Sequence, residues 1–252
     1  MTVRLDKYLT DMQAGTRSQA KEMIRRGRIT VNGSACKKPE TKVAPETDVV
    51  CLDGQRLRYV RFEYYMLNKP AGVITASTDA REKTVSDLIA SARKDLFPVG
   101  RLDRDTEGLL LITNDGELTH HLLSPKRKVS KTYEAILKGI PGPEAVKAFR
   151  EGLSLEAVRN GTGTEEGFIC KPAELVILDF DTERDESVVR ITVTEGKYHQ
   201  VKRMAAAVGC EVRYLRRIAM GPLRLDEKLK PGEYRELTAE ELAAVCDMEE
   251  VN

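Results

Sequence analysis

The sequence predicts an α+β protein with a small N-terminal domain, residues 1–58 including a linker, and a larger domain over 59–252. Three observations carry this reading. Helical and strand patterns alternate in short runs along the chain. Two strand-like runs, Tyr64–Leu67 and Val73–Thr75, are separated by a turn-forming segment and are expected to pair as a hairpin. Charge is also divided unevenly. The 252 residues hold 41 Lys+Arg and 40 Asp+Glu, a formal net charge of +1. Residues 1–60 nevertheless carry twelve Lys+Arg against seven Asp+Glu, and residues 223–252 carry four against nine. A basic head of this kind points to a polyanionic partner.

The composition narrows the class. Hydrophobic residues make up 41% and charged residues 32%, as in an ordinary globular chain rather than a disordered one. No apolar run approaches the roughly 18 residues of a membrane span, and MTVRLDKYLT has no apolar segment of the secretory kind. Five scattered cysteines without a C-x-x-C argue against a disulfide framework or a zinc ribbon, so a reducing cytoplasm is expected. Three histidines, two of them the adjacent pair His120 and His121, give poor support to a metal site. There is no P-loop. Gly161-Thr162-Gly163 is followed by Glu166 where a dinucleotide fingerprint needs glycine, so residues 160–168 read as a loop. No metal, nucleotide cofactor or membrane is therefore expected.

In the head, Leu5, Tyr8, Leu9 and Met12 recur at helical spacing. Thr16 and Gln19 fit a capping box that opens a second helix, whose apolar stripe is Ala20, Met23 and Ile24 and whose stop is Gly27. Arg17, Lys21 and Arg25, four residues apart, line one flank of that helix, and Arg26 and Arg28 add charge at its end. Ile29–Val31 reads as a strand and Asn32-Gly33 as a hairpin turn. Residues 37–58, with Pro39, Pro45 and Gly54, read as the end of the small domain and a connector.

In the larger domain, Lys69 follows the first strand and reads as a solvated lysine. Leu109–Thr113 is a buried-strand candidate closed by an Asn114-Asp115-Gly116 turn. Before it lies a polar loop, Arg101 to Glu107, with three carboxylates: Asp103, Asp105 and Glu107. A carboxylate placed there serves as nucleophile or base, or accepts backbone N–H bonds and pairs with a neighbouring arginine. Lys126, Arg127, Lys128 and Lys131 put four cations into six residues, a candidate phosphate contact or an exposed basic loop. Tyr133, Ala135 and Leu137 alternate as on a strand. Val201, Met204, Ala205 and Val208 form a helical stripe ending at Gly209, with Lys202 and Arg203 off its centre. Arg213, Arg216 and Arg217 form a further basic group on a strand. The tail from Leu237 reads as a short capped helix that tucks against the large domain.

Two resemblances join these pieces. R-L-D-K-Y-L at 4–9, followed by the spaced S-x-x-x-A-K-x-x-I-x-x-G-x-I-x-V-N-G, resembles the S4 RNA-binding domain. G-R-L-D-x-x-T-x-G-L-L-L-x-T-N-D-G at 100–116 resembles the catalytic motif of pseudouridine synthases. K-T-Y at 131–133 and E-G-K-Y-H-Q-V-K-R-M at 195–204 resemble two later motifs of that family. An S4-like head points to the ribosomal RNA branch, and P-K-R-K-V-S-K-T-Y is most similar to the small-subunit, RsuA type.

The resemblance implies a larger domain built on mixed, mainly antiparallel sheet. It implies an enzyme that isomerises uridine to pseudouridine in small-subunit (16S) ribosomal RNA without a cofactor. Asp103 would attack the sugar or remove a sugar proton, and the sequence leaves both open. Lys202, where many relatives have Arg, would pair with it; Tyr133 would stack on the flipped base; His199 would be a positioning residue. Arg101 is expected to contact phosphate or splay the target base, or to form a structural salt bridge. Arg17, Lys21, Arg25, Arg28, Lys126, Arg127, Lys128 and Lys131 are the other expected RNA contacts. The partner would be ribosomal RNA or a small-subunit assembly intermediate, bound by a cytoplasmic monomer. A large-subunit synthase of the same family and a catalytically silent RNA-binding assembly factor are the alternatives.

Overall fold

The computed structural model describes residues 2–91, 93, 95–160 and 163–248. It divides into two units, one of Met1–Glu63 with Ala90–Leu96 and one of Tyr64–Ile89 with Phe97–Asn252.

In the first unit, α1 (Leu5–Asp11) buries Leu5, Tyr8 and Leu9, and α2 (Arg17–Arg25) buries Ala20, Met23 and Ile24. The capping box is formed: the Gln19 N–H donates to Thr16 Oγ1 at 3.3 Å, and Gln19 Oε1 accepts from the Thr16 N–H at 2.8 Å. Such caps contribute about 1 kcal/mol. The chain leaves α2 through Gly27 at φ 74°. The strands are β1 (Val3–Arg4), β2 (Ile29–Val31), β3 (Ser34–Ala35), β4 (Lys42–Val43), β5 (Val50–Leu52) and β6 (Gln55–Leu57). Asn32 and Gly33 both have positive φ, as a two-residue turn matched to strand twist requires. Residues 37–58 are more than a connector. They supply β5 and β6 to a four-stranded sheet of order β3-β2-β5-β6, and β4 pairs with β1. Val43 and Val50 lie in the same apolar cluster as the two helices. Short β-branched runs among prolines hide strands whose partners lie far away in sequence.

The second unit holds β7 (Tyr64–Lys69), β8 (Phe97–Pro98), β9 (Glu107–Thr113), β10 (Lys131–Lys138), β11 (Ser154–Leu155), β12 (Val158–Asn160), β13 (Gly163–Glu165), β14 (Phe168–Ile169), β15 (Glu174–Asp181), β16 (Glu186–Val193), β17 (Glu211–Met220), β18 (Leu223–Arg224) and β19 (Tyr234–Glu236). Nine of these form one sheet along the path β15-β16-β10-β17-β9-β7-β19, with β18 on β17 and β8 on β9. All its pairings are antiparallel except β17 with β9, so the sheet is mixed and mainly antiparallel, as expected. Among the described residues, four α-helices accompany it: α3 (Gly116–Leu123), α4 (Pro143–Glu151), α5 (Gln200–Ala207) and α6 (Ala239–Asp247).

Two local expectations are corrected. Val73–Thr75 is not a returning strand. Ile74 makes only an isolated bridge to Thr84, and β7 takes β9 as its antiparallel neighbour. The buried run Leu109–Ile112 offers β7 an apolar partner along its whole length. The stretch after Asn160 is not a plain loop either, since it includes β13 and β14; Gly161 and Thr162 lie outside the described residues. Asn114-Asp115-Gly116 leads into a helix: Asp115 Oδ1 accepts the N–H groups of Glu117 and Leu118, both at 3.1 Å, and caps α3. The tail helix α6 sinks Val245 into the cluster of Met66, Leu109 and Leu111.

Candidate active site

The loop between β8 and β9 carries Asp103 and Asp105, Glu107 opens β9, and the loop is fastened at several points. Leu102 is buried. Thr75 Oγ1 donates to the Leu102 carbonyl at 2.7 Å and accepts from its N–H at 3.2 Å. The Thr106 N–H closes a turn on the Asp103 carbonyl at 3.1 Å, and the Gly72 N–H donates to the Arg104 carbonyl at 2.8 Å. Arg104 pairs with Glu82 at 3.1 Å rather than with the aspartates beside it. Gly108 then passes β17 so closely that a Cβ there would lie 2.2 Å from the Arg217 carbonyl oxygen. Only glycine permits the approach.

Lys69 lies beneath this loop and is a correction to the sequence reading. It is not solvated; its solvent exposure is 0%. Its Nζ donates to the carbonyls of Pro70 (3.0 Å), Asp103 (3.1 Å), Arg104 (3.3 Å) and Thr106 (2.9 Å). Burial pushes the ammonium down to about 8, and the Asp105, Asp103 and Glu107 carboxylates oppose that fall. A cation bound to the carbonyls of Asp103, Arg104 and Thr106 fixes the backbone that presents Asp103. The sequence signal was Asn68-Lys69-Pro70-Ala71-Gly72, which is legible as a turn, whereas the lysine's burial depends on a loop 34 residues onward.

The three carboxylates have different fates. Asp103 is 29% exposed at its side chain; Lys202 Nζ lies 3.1 Å from its Oδ2 and His199 Nε2 lies 3.5 Å from its Oδ1. Asp105 is 72% exposed and takes a 2.6 Å contact from the same Lys202 Nζ. Glu107 accepts the Tyr214 hydroxyl at 2.8 Å. Burial works against the Lys202 charge, but the Asp105 hydrogen bond and the Asp103 carboxylate outweigh it and raise its basicity. Burial likewise opposes the Asp105 charge, and the Lys202 bond overcomes it, holding that carboxyl below its usual range. One ammonium therefore serves two carboxylates, of which Asp103 is the more enclosed.

The turn before α5 delivers Lys202 and His199. Gln200, almost fully buried, donates through Nε2 to Glu195 at 3.0 Å and accepts the Lys197 N–H at 3.0 Å. Glu195 also accepts the Lys171 N–H at 2.9 Å. His199 adopts a left-handed conformation, φ 47°, and its ring stacks on Tyr198 at 3.9 Å between centroids. Val201, Met204 and Ala205 anchor the helix in the core, which leaves Lys202 on its accessible side.

The remaining expected residues are distributed as follows. Tyr133 on β10 is half-buried and packs against the cluster holding Ala135, Leu137 and Met204. Arg101 is exposed on the Asp103 loop, as are Lys126 and Lys128 on the segment after α3, while Arg127 is half-buried. Lys131 is removed from the phosphate contacts: it is buried and its Nζ donates to the Val129 carbonyl at 3.0 Å. Its place on an inward face of β10 outweighs its membership of a charge run. In the first unit, Arg17 and Arg25 are exposed and Lys21 is half-buried. Arg17 also lies 3.9 Å from the buried Asp6. Arg28 is bound through Nε and Nη2 to Asp53, tying the entry of β2 to the β5–β6 turn. Its first role is thus structural. Arg217, one of the basic group read on a strand, is buried. Among the described residues, no group of three or more His, Cys, Asp or Glu side chains is placed to hold a metal.

Comparison with known proteins shows the family. The RNA pseudouridylate synthase family model matches residues 63–207, and the S4 domain model matches residues 3–57. An uncharacterized RNA pseudouridine synthase of Bacillus subtilis is 45% identical over 95% of this chain and 97% of its own. The ribosomal small subunit pseudouridine synthase A of Vibrio parahaemolyticus is 41% identical over 96% of this chain and 99% of its own. A crystal structure of a pseudouridylate synthase superposes with a TM-score of 0.63 at 36% identity, covering 96% of this chain and 99% of that one. The chain belongs to the RNA pseudouridylate synthase family, and within it to the RsuA type.

Proposed function

We propose that the chain converts one uridine of small-subunit (16S) ribosomal RNA to pseudouridine, with Asp103 acting at C1′ or C2′ of the ribose of a base turned out of the RNA. The observation that carries this is the Asp103–Lys202 pair, 3.1 Å apart, with the Asp103 loop held from below by Lys69. Both chemical roles of Asp103 require an ionised carboxylate. A neighbouring ammonium favours that form and fixes its orientation. Tyr133 offers an aromatic face to a base that has left its stack. Lys202 and His199 hold the Asp103 side chain from two sides, and Asp105 competes for Lys202 from the solvent edge.

The choice of small-subunit RNA rests on the likeness to the Vibrio relative, which is named a ribosomal small subunit pseudouridine synthase. The S4 head supplies sequence-independent grip through Arg17, Lys21 and Arg25, and Arg101, Lys126 and Lys128 add contacts from the larger domain. We take the partner to be ribosomal RNA or an assembly intermediate of the small subunit, met in the cytoplasm by a monomer.

Purified protein is tested on 16S and 23S transcripts labelled with tritium at uridine C5, where isomerisation releases the label. Release from 16S RNA by the wild type, and none by Asp103→Asn at unchanged RNA affinity, is the expected result. Release from 23S RNA alone would make this a large-subunit enzyme. RNA binding with release from neither would make it a silent assembly factor.

A further inference from the structure

The larger domain buries two cations that the Asp103 site does not use. Lys131 is 8% exposed and Arg217 is 2% exposed. They bracket Tyr133. Arg217 is its cross-strand partner on β17, and Lys131 precedes it by two on β10, so strand alternation puts Lys131 and Tyr133 on one face. That face is the buried one, shared with Ala135 and Leu137.

Among the described residues, neither cation has a carboxylate as a hydrogen-bond partner. Lys131 Nζ donates to the Val129 carbonyl, and Arg217 Nε donates to the Leu109 carbonyl at 2.7 Å. Arg217 Nη2 is buried and has no hydrogen-bond partner among the described residues. Burial and then the Arg217 charge both lower the basicity of Lys131. Two like charges beside each other in a dry interior, with donors to spare, are costly in the resting protein. Such a cost is met at sites where negative charge develops only during reaction.

The isomerisation proposed above creates that charge. Whether Asp103 bonds to C1′ or takes the proton from C2′, the N1–C1′ bond breaks with its electron pair passing to N1. The base departs as a uracil monoanion with charge shared by O2 and O4. C5 then bonds to C1′, displacing the carboxylate or with the proton returned to C2′. The C5 proton is lost and N1 gains one, giving the neutral product.

We propose that Lys131 and Arg217 form the cationic wall that stabilises the departing uracil anion while it stacks on Tyr133. This rests on the reading of Asp103 and Tyr133 given above. A phosphate of the RNA would be met by exposed cations; these two lie at the base-stacking residue and beneath the surface, where a planar anion inserted beside Tyr133 reaches them.

The test uses single-turnover rates on one RNA carrying either uridine or 5-fluorouridine at the target. Fluorine makes the base a better leaving anion, so the reaction depends less on a stabilising wall. Lys131→Met is expected to slow consumption of the uridine RNA by about 10²- to 10³-fold. The slowing on the 5-fluorouridine RNA is expected to be at least about tenfold smaller, with RNA affinity and its salt dependence unchanged. Arg217→Lys, which keeps a charge but loses the fork, should show the same pattern at smaller amplitude and serves if Lys131→Met does not fold. Equal slowing on both RNAs, as a structural defect gives, would overturn the inference. So would a loss confined to affinity with a shallower salt slope, which would mark a phosphate contact. A wild type inert on both RNAs would overturn the Asp103 reading itself, and this inference with it.

Discussion

The Lys69 ammonium, fully buried, donates to the backbone carbonyl of Asp103 at 3.1 Å. The residue that presents the carboxylate is thereby held by its main chain from one side and by Lys202 and His199 at its side chain from the other. Lys69→Met removes the shared donor from four carbonyls, of which, among the described residues, only those of Asp103 and Arg104 keep a backbone N–H, and is expected to lower turnover at least about tenfold at pH 7, because small displacements at a reacting group are expensive. Lys69→Arg should rescue little, since a planar fork does not fit a cage built for a point charge. Wild-type turnover in Lys69→Met would contradict this.

The same lysine ties stability to pH. Its ordinary value is 10.5, and burial brings it to about 8 in the folded protein. Between those values the unfolded chain holds a proton on Lys69 that the folded chain has released, so raising the pH favours the folded state. From about pH 8 to 10.5 the wild type should gain stability relative to Lys69→Met, by roughly 3 kcal/mol at most. Urea denaturation of both proteins across that range measures it, and a constant difference would refute it.

Asp103 and Asp105 share Lys202 but face different surroundings, and their variants should separate. Asp103→Asn is expected to abolish isomerisation, by about 10⁴-fold or more, while retaining RNA affinity. Asp105→Asn should cost no more than about tenfold, because an exposed ion pair contributes little. Single-turnover assays of the two decide it; the reverse ranking would move the chemistry to Asp105.

The head's cations make a different prediction. Replacing Arg17, Lys21 and Arg25 with Ala should weaken RNA binding and flatten its log–log salt slope by about 2, at roughly 0.7 per phosphate contact on single strands. Arg28→Ala should instead loosen the β2 entry through loss of Asp53. An unchanged slope in the triple variant would exclude this face from the RNA grip.

Gly108 offers a test of packing. The 2.2 Å approach of an added Cβ to the Arg217 carbonyl oxygen, at φ 101°, leaves no room for Ala. Gly108→Ala should destabilise the larger domain by about 3 kcal/mol or more, seen as a lowered Tm. A Tm within a degree or two of the wild type would contradict this.

Much of this was readable from residue order. Thr16 and Gln19 announced the cap of α2, Asn32-Gly33 the tight turn, and Val201, Met204 and Ala205 the buried stripe of α5, because each is set by local spacing. The resemblance of the 100–116 segment to the family's catalytic motif singled out Asp103 from its acidic neighbours, and Lys202 lies beside it. What escaped depends on distant partners. Lys69 looked solvated because three of its four acceptors come from residues 103–106. Lys131 looked like surface charge, and the burial of Arg217 went unread, because a lysine or arginine among other cations gives no sign of which strand face it occupies. Val73–Thr75 looked like a returning strand because β9, the true neighbour of β7, lies more than thirty residues further on.

The most direct test of the central claim is pseudouridine mapping of both ribosomal RNAs from cells lacking this protein, complemented with wild type or with Asp103→Asn. The account predicts the loss of one pseudouridine in 16S RNA, restored by wild type and not by Asp103→Asn. An unchanged map of 16S RNA, or restoration by Asp103→Asn, would contradict it.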